Sequence, residues 1–242
     1  FLPTPKEGFA HRCKNSSRRL RIGYVSADFR RHSVAYFLEP IFENHDKSAF
    51  EIFSYANMTG SDELTNRLKG LSDHWRDVFG LDDQAMAAQV LADEIDILVD
   101  LSGHTRGGRL PVFASRPAPI QITYLGYPAS TGLEQIDYRI TDPWSDPPNL
   151  TEKFHTEKLL RLNEGFLCYR PPEDAPEIGP LPLLTSGHVT FASFNNLAKL
   201  TPRTINNWAK ILKSVRGSQL CLKAKALGDQ VTRTHIIGAF AK

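Results

Sequence analysis

Ile95-Asp-Ile-Leu-Val-Asp-Leu-Ser-Gly-His-Thr-Arg-Gly-Gly108 is the stretch on which the fold turns. Its first half, Ile95–Leu101, is short, β-branched, and bounded by acids before it and a glycine-rich loop after it, the pattern of a buried strand. Asp83–Ala92, just upstream, reads as a helix. The alternation continues outward. Leu20–Ser26 (LRIGYVS) and Phe50–Ala56 (FEIFSYA) read as strands; a helix capped by Ser33 runs to about Phe42, and a second, with Asp62 as N-cap, ends at Leu71. Trp75–Phe79, Ile120–Leu125 and Tyr138–Thr141 supply further strands. Strands separated by helical stretches of about 10–15 residues imply βαβ units and a parallel sheet. Residues 18–170 are therefore expected to form a doubly wound α/β domain.

Residues 1–17 have the Pro, Gly, Asn and Ser content of a linker, and the start at Phe1 without a Met reads as cut from a longer chain. Residues 171–187, with five prolines, read as a second linker between domains. Beyond it come a strand (Val189–Phe194), a helix (Pro202–Val215), a strand (Gln219–Lys223) and one more helix before Lys242. One βαβ unit cannot cover both faces of a parallel sheet. Residues 188–242 are thus expected to open a second lobe that is incomplete. The stripe Ile205, Trp208, Ala209, Leu212, Val215 reads as its core.

Composition narrows the function classes. Of 242 residues, 41% are hydrophobic and 23% charged, which excludes extended disorder. The 29 basic and 27 acidic residues leave a net charge of +2. That balance argues against a nucleic-acid binder, and the basic cluster His11, Arg12, Lys14, Arg18, Arg19, Arg21 reads as a solvated linker. No apolar run approaches the roughly 20 residues that span a bilayer, and no signal peptide is visible. Three widely spaced cysteines without a CxxC pair indicate neither zinc nor a redox couple and fit a cytoplasmic setting.

In open α/β sheets ligands bind beyond the carboxyl ends of strands, so three loops are candidates. Ala27–Ser33 places His32 at a helix start, where dipole and burial would favour the neutral imidazole of a general base; the bland alternative has Asp28 and Ser33 capping the helix and His32 solvated. Ser102–Gly108 has three glycines that permit close backbone approach to a ligand, with donors on His104, Thr105 and Arg106. It matches neither dinucleotide nor P-loop fingerprint and reads equally as a tight turn. Phe194–Pro202 presents amides and Lys199 beside a Thr201–Pro202 helix start, the physics of a diphosphate site, or else a solvated loop. Asp96 reads as a turn residue, and Arg116–Pro119 as a rigid wall.

Four blocks, RLRIGYVSADFRRHSVAYF (19–37), DILVDLSGHTRGGRLPVFASRPAPIQITYLGYPASTGL (96–133), DYRITDPWSDPP (137–148) and FASFNNLAKLTP (191–202), resemble the catalytic region of the O-GlcNAc transferase and SPINDLY family. These are nucleocytoplasmic protein O-glycosyltransferases, and LSGHT, YPASTGL and FNNLAKLTP resemble the SPINDLY-like and bacterial branch more than the animal enzyme. The resemblance implies a GT-B fold with two Rossmann-like lobes facing across a cleft. It implies inverting transfer of a sugar to Ser or Thr hydroxyls of acceptor proteins. The donor would be UDP-GlcNAc, or GDP-fucose as in plant SPINDLY, with no metal and no separate cofactor.

By position His32 matches the family's active-site histidine, and Asp93 the alternative proton acceptor. Lys199 matches the lysine on the donor diphosphate, with Asn195 and Asn196 adjoining, while Gly103, His104, Thr105, Tyr127 and Pro128 would line the cleft. Ala198 stands where the animal enzyme has a tyrosine. The family's tetratricopeptide repeats, and the half-lobe holding most base and ribose contacts, have no counterpart in these residues. The expectation is a fragment of a transferase, its activity as it stands left open; the competing class is a non-catalytic peptide-binding or protein-binding module on the same fold.

Overall fold

The computed structural model describes residues 18–172 and 174–240, so the linker expected over 1–17, with His11, Arg12 and Lys14, lies outside the described residues. The chain divides into two compact units after Pro172.

In the first unit β4 (Ile97–Asp100) lies near the middle of a seven-stranded sheet. The spatial order is β3 (His74–Asp77), β2 (Phe50–Ala56), β1 (Leu20–Ser26), β4, β5 (Ile120–Thr123), β6 (Tyr138–Thr141), β7 (Lys158–Arg161). Every neighbouring pair is parallel. The chain winds outward from β1 to β3, then returns to place β4 on β1's free side. The order reverses between β1 and β4, where open α/β sheets form their crevice.

Strand alternation sends side chains to two separate cores. On one face α1 (Ser33–Glu43) and α2 (Glu63–Leu71) bury Leu38, Phe42, Leu64 and Leu68 against Ile22, Tyr24, Ile52 and Val99. On the other, α3 (Asp83–Ala92) and α4 (Leu110–Ala114) bury Met86, Val90, Val112 and Phe113 against Val25, Phe53, Tyr55 and Leu98. Each fully buried side chain of this size contributes about 1.5–3 kcal/mol. Gly23 in β1 is needed because Tyr55 lies across it: a Cβ there would sit 3.0 Å from the ring.

Several boundaries differ from the sequence reading. Asp62 does cap α2, as a full capping box with Thr65, but α1 is capped by His32 rather than Ser33. The third strand ends at Asp77, which leaves Phe79 60% exposed beyond it. Neither α4 nor β7 was foreseen. Arg18, Arg19 and Arg21 are not linker: they clamp the amino ends of the strands through ion pairs with Asp96, Asp73 and Glu51.

The second unit pairs β8 (Thr190–Ser193) with β9 (Gln219–Leu222) in parallel, with α6 (Pro202–Ser214) connecting them. It also holds a single turn α5 (Leu183–Ser186), inside the proline-rich stretch, and α7 (Gln230–Phe240). The stripe on α6 is not a closed core. Ile205 is buried, but Trp208 and Leu212 are only half-buried and line an apolar hollow of about 180 Å³ with Phe191 and Leu220. Two strands are too narrow to cover the helix's apolar face. Among the described residues no helix is long and apolar enough to cross a membrane.

Candidate active site

The loops after β1 to β5 border a cavity of about 470 Å³ at the carboxyl ends of the strands, over the point where strand order reverses. Its walls include Asp28, Arg30, His32, Asn57, Thr105 and Arg106. The β1 loop is held from below. Phe29 is fully buried against Phe42 and Trp75, and the Asp28 amide donates to Ser26 Oγ at 2.9 Å. With Phe29 pinned, Arg30, Arg31 and His32 stay outside. Arg31 turns away, its amide donating to Asp62 and its guanidinium to Glu63, both at 2.7 Å.

His32 is extended (φ −148°, ψ 155°), the usual backbone of a helix cap, and its Nδ1 accepts the Val34 amide at 3.3 Å. The same Nδ1 lies 3.6 Å from Asp28 Oδ2. The imidazole is 44% exposed, so the burial expected from sequence does not operate; Nε2 has no partner among the described residues. The two Nδ1 contacts correspond to two tautomers. While Nδ1 accepts from Val34, the proton is on Nε2. When Nδ1–H turns to Asp28, Nε2 carries the lone pair that a general base needs.

The loop after β4 is organised by Asp100, a residue sequence reasoning missed. Its buried carboxylate accepts from the amides of Ser102 and Gly103 and from the Thr123 hydroxyl at 2.9–3.1 Å. Burial pushes its pKa above the ordinary carboxylate value, while these donors pull it down. An Asp closing a strand just before Ser-Gly was the available signal, since that side chain can bond amides two and three residues on.

Glycines of this loop and of the loop after β5 sit close against neighbouring protein. A Cβ on Gly103 (φ +53°) would fall 2.4 Å from Tyr127 Cβ, one on Gly107 (φ +82°) 2.6 Å from Ala27 Cβ, and one on Gly126 1.9 Å from the Leu101 carbonyl. Asn57 adds a staple, donating to the Gly107 carbonyl at 2.9 Å.

Of the five residues expected to line the cleft, Thr105 borders this cavity. Gly103 is buried beneath Tyr127, His104 donates through Nε2 to the Thr131 carbonyl at 2.8 Å with its ring edge-on to Tyr127, and Pro128 is exposed. Those four do not line it and belong to the packed wall of the β4 and β5 loops. The wall rests on buried polar groups: Arg139 donates to the Tyr127 and Ala129 carbonyls, and Glu157 accepts the Thr131 amide and hydroxyl.

Asp93 is not brought to this cluster. It caps the end of α3 and leads into the start of β4, so it belongs to the amino ends of the strands. There it accepts from Arg76, Tyr55 and Gln89. Burial alone would raise its pKa; Arg76 and the other donors outweigh that and hold it below the usual value.

In the second unit Asn196 caps a single turn, Leu197–Lys199, and Thr201 caps α6 with Pro202 at its first position. Lys199 is exposed, its Nζ donating to Asn195 Oδ1 at 3.2 Å. The lysine and both asparagines thus share one loop at the carboxyl end of β8, beside a helix start.

Residues 2–169, most of the chain, match glycosyl transferase family 41. The chain belongs to that family. It is 48% identical over 95% of its length to a probable UDP-N-acetylglucosamine–peptide N-acetylglucosaminyltransferase SPINDLY of rice (Oryza sativa subsp. japonica), and 34% identical over 97% to a probable enzyme of the same activity, SEC, of Arabidopsis thaliana. This family 41 chain spans about a quarter of the length of these curated relatives, 25% and 24%. A solved mutant O-GlcNAc transferase from Thermobaculum terrenum matches 99% of it at 41% identity and TM-score 0.92, covering 45% of that chain. The fold class is accordingly GT-B.

Proposed function

We propose that this chain carries the acceptor-side chemistry of a protein O-glycosyltransferase, which moves a sugar from a nucleotide donor to Ser or Thr hydroxyls of proteins with inversion. The observation that carries this reading is His32, set between Asp28 and the α1 start on the wall of the switch-point cavity. With Nδ1–H directed at Asp28, Nε2 can take the hydroxyl proton as the oxygen attacks the anomeric carbon. The imidazolium that forms is stabilised by the Asp28 carboxylate. The departing diphosphate needs a stabilising positive charge, and in the second unit Lys199, steadied by Asn195, is the residue assigned to it.

Asp93 has no part in proton transfer on this reading, because its oxygens are already engaged. The relatives' names favour UDP-GlcNAc as donor, with GDP-fucose second; the setting is the cytoplasm, and no metal is required. The test is mass spectrometry of an acceptor protein after incubation of the full-length enzyme with both donors and EDTA. Expected is O-linked GlcNAc with inverted anomeric configuration. Absence of any sugar on a hydroxyl overturns the reading.

A further inference from the structure

The cavity's charge is unbalanced at one place. Asp28 is its one carboxylate among the described lining residues, and it already faces His32 and Arg30, each at 3.6 Å. Arg109, at the base of the same loop, is held by Asn57, the Leu81 carbonyl and Asp83. Arg106, exposed at the loop tip, has no ion pair or hydrogen bond with any described residue. One guanidinium fork is therefore uncommitted in the lining that also holds His32, and Arg30 of the same lining is only loosely paired. Exposed Phe79 and half-buried Met58 add apolar surface to the lining.

Size fixes what reaches that fork. A cavity of about 470 Å³ is roughly 10 Å across, the span of about three residues of extended chain. A peptide whose hydroxyl is held at His32 Nε2 therefore keeps side chains up to two or three residues away within the cavity that Arg106 borders. Guanidinium forks suit carboxylates and phosphates, which they bind through paired hydrogen bonds. We infer that this site selects acceptor peptides carrying an anionic side chain, carboxylate or phosphate, two or three residues from the modified Ser or Thr, and that Arg106 reads it with Arg30 in support. The inference rests on the cavity being the acceptor site proposed above.

The test compares kcat/KM of the full-length enzyme for Ser peptides that differ at one residue two or three places from the Ser: Asp, phosphoserine, Asn or Lys. Expected is an advantage of about two- to five-fold for Asp or phosphoserine over Asn, the scale of a solvent-accessible ion pair, shrinking as salt is raised. The better of the two anions tells carboxylate from phosphate. In Arg106→Glu the order should invert in favour of Lys, and ratios within one variant cancel any general loss of activity. Equal rates for Asp and Asn peptides, or a preference that survives Arg106→Glu, overturn the inference while peptide glycosylation itself continues. An Arg106→Glu enzyme that changes donor KM alone also overturns it, assigning the fork to the nucleotide sugar. If no peptide is glycosylated, the acceptor-site reading falls and this inference with it.

Discussion

His32 caps α1 through Nδ1 and, on the proposed reading, acts as base through Nε2, and the two tasks can be separated. As a cap it needs an acceptor near the Val34 amide; as a base it needs Nε2 free of its proton. His32→Asn keeps a preferred capping group and removes the base. We expect that variant to match or exceed the wild type in thermal stability while kcat falls by about 10²–10⁴. His32→Ala should lose the same rate and also about 0.5–1 kcal/mol of stability, the lower part of the capping range, because a 3.3 Å contact is weak. Melting curves and kcat with donor KM for both variants check this; near-wild-type kcat in either removes His32 from the chemistry. On the proposed reading Lys199→Ala should instead raise donor KM and lower kcat together, since its charge would meet the diphosphate in the ground state and more strongly in the transition state. Lys199→Arg should recover only part of this, as a fork replaces a point charge. Changes within about 0.5 kcal/mol, the usual range of surface substitutions, would make it an ordinary loop lysine.

At the scale of elements, the loops after β4 and β5 are fitted together through glycine. Gly126→Ala would set a methyl 1.9 Å from the Leu101 carbonyl, so one backbone must shift. Overpacking of this sort costs about 1–3 kcal/mol. Turnover should fall further than that loss explains, because the same backbone leads to Thr105 and Arg106. Comparing folded fraction with kcat tests this; a variant that loses neither would show the contact to be slack.

Elements with strong local physics were legible. Asp62 and Asp82 mark helix starts by bonding amides three residues on, and Phe50–Ala56 and Tyr138–Thr141 are strands to the residue. What stayed hidden depends on partners distant in sequence. Lys158-Leu-Leu-Arg161 becomes a strand only through pairing with β6. The glycines of the Ser102–Gly108 loop announced a close approach without naming what approaches, and Asp93, matched by position, turned out to be tied to Arg76 and Tyr55.

For the whole molecule the consequence is acid sensitivity. Asp93, Asp73, Asp146 and Glu157 are all held below the ordinary carboxylate range, because the donors and cations around them outweigh the opposing effect of burial. A carboxylate lowered on folding contributes stability that is present above its unfolded value, about 4, and is lost as pH falls through the folded value. The N-terminal unit should therefore be acid-stable to about pH 4 and unfold below it, followed by circular dichroism across pH. Asp93→Asn should flatten that limb and cost about 2 kcal/mol at neutral pH. This lies between the cost of breaking an exposed pair and a buried one, since the Arg76 side chain is 35% exposed. Above pH 5, kcat per folded molecule should be unchanged; a large fall would return Asp93 to the chemistry.

The interlocked rim has an implication for how such enzymes diversify and how they can be re-engineered. Gly103 under Tyr127, Gly107 against Ala27 and Gly126 against Leu101 leave no room for one loop to lengthen alone. Loop grafting, the ordinary route by which α/β scaffolds acquire new specificities, is closed unless three segments are transplanted as one cassette. Variation is channelled into the side chains at the tips, so a retargeted enzyme is more readily obtained by point libraries at positions such as 30, 79 and 106 than by insertion.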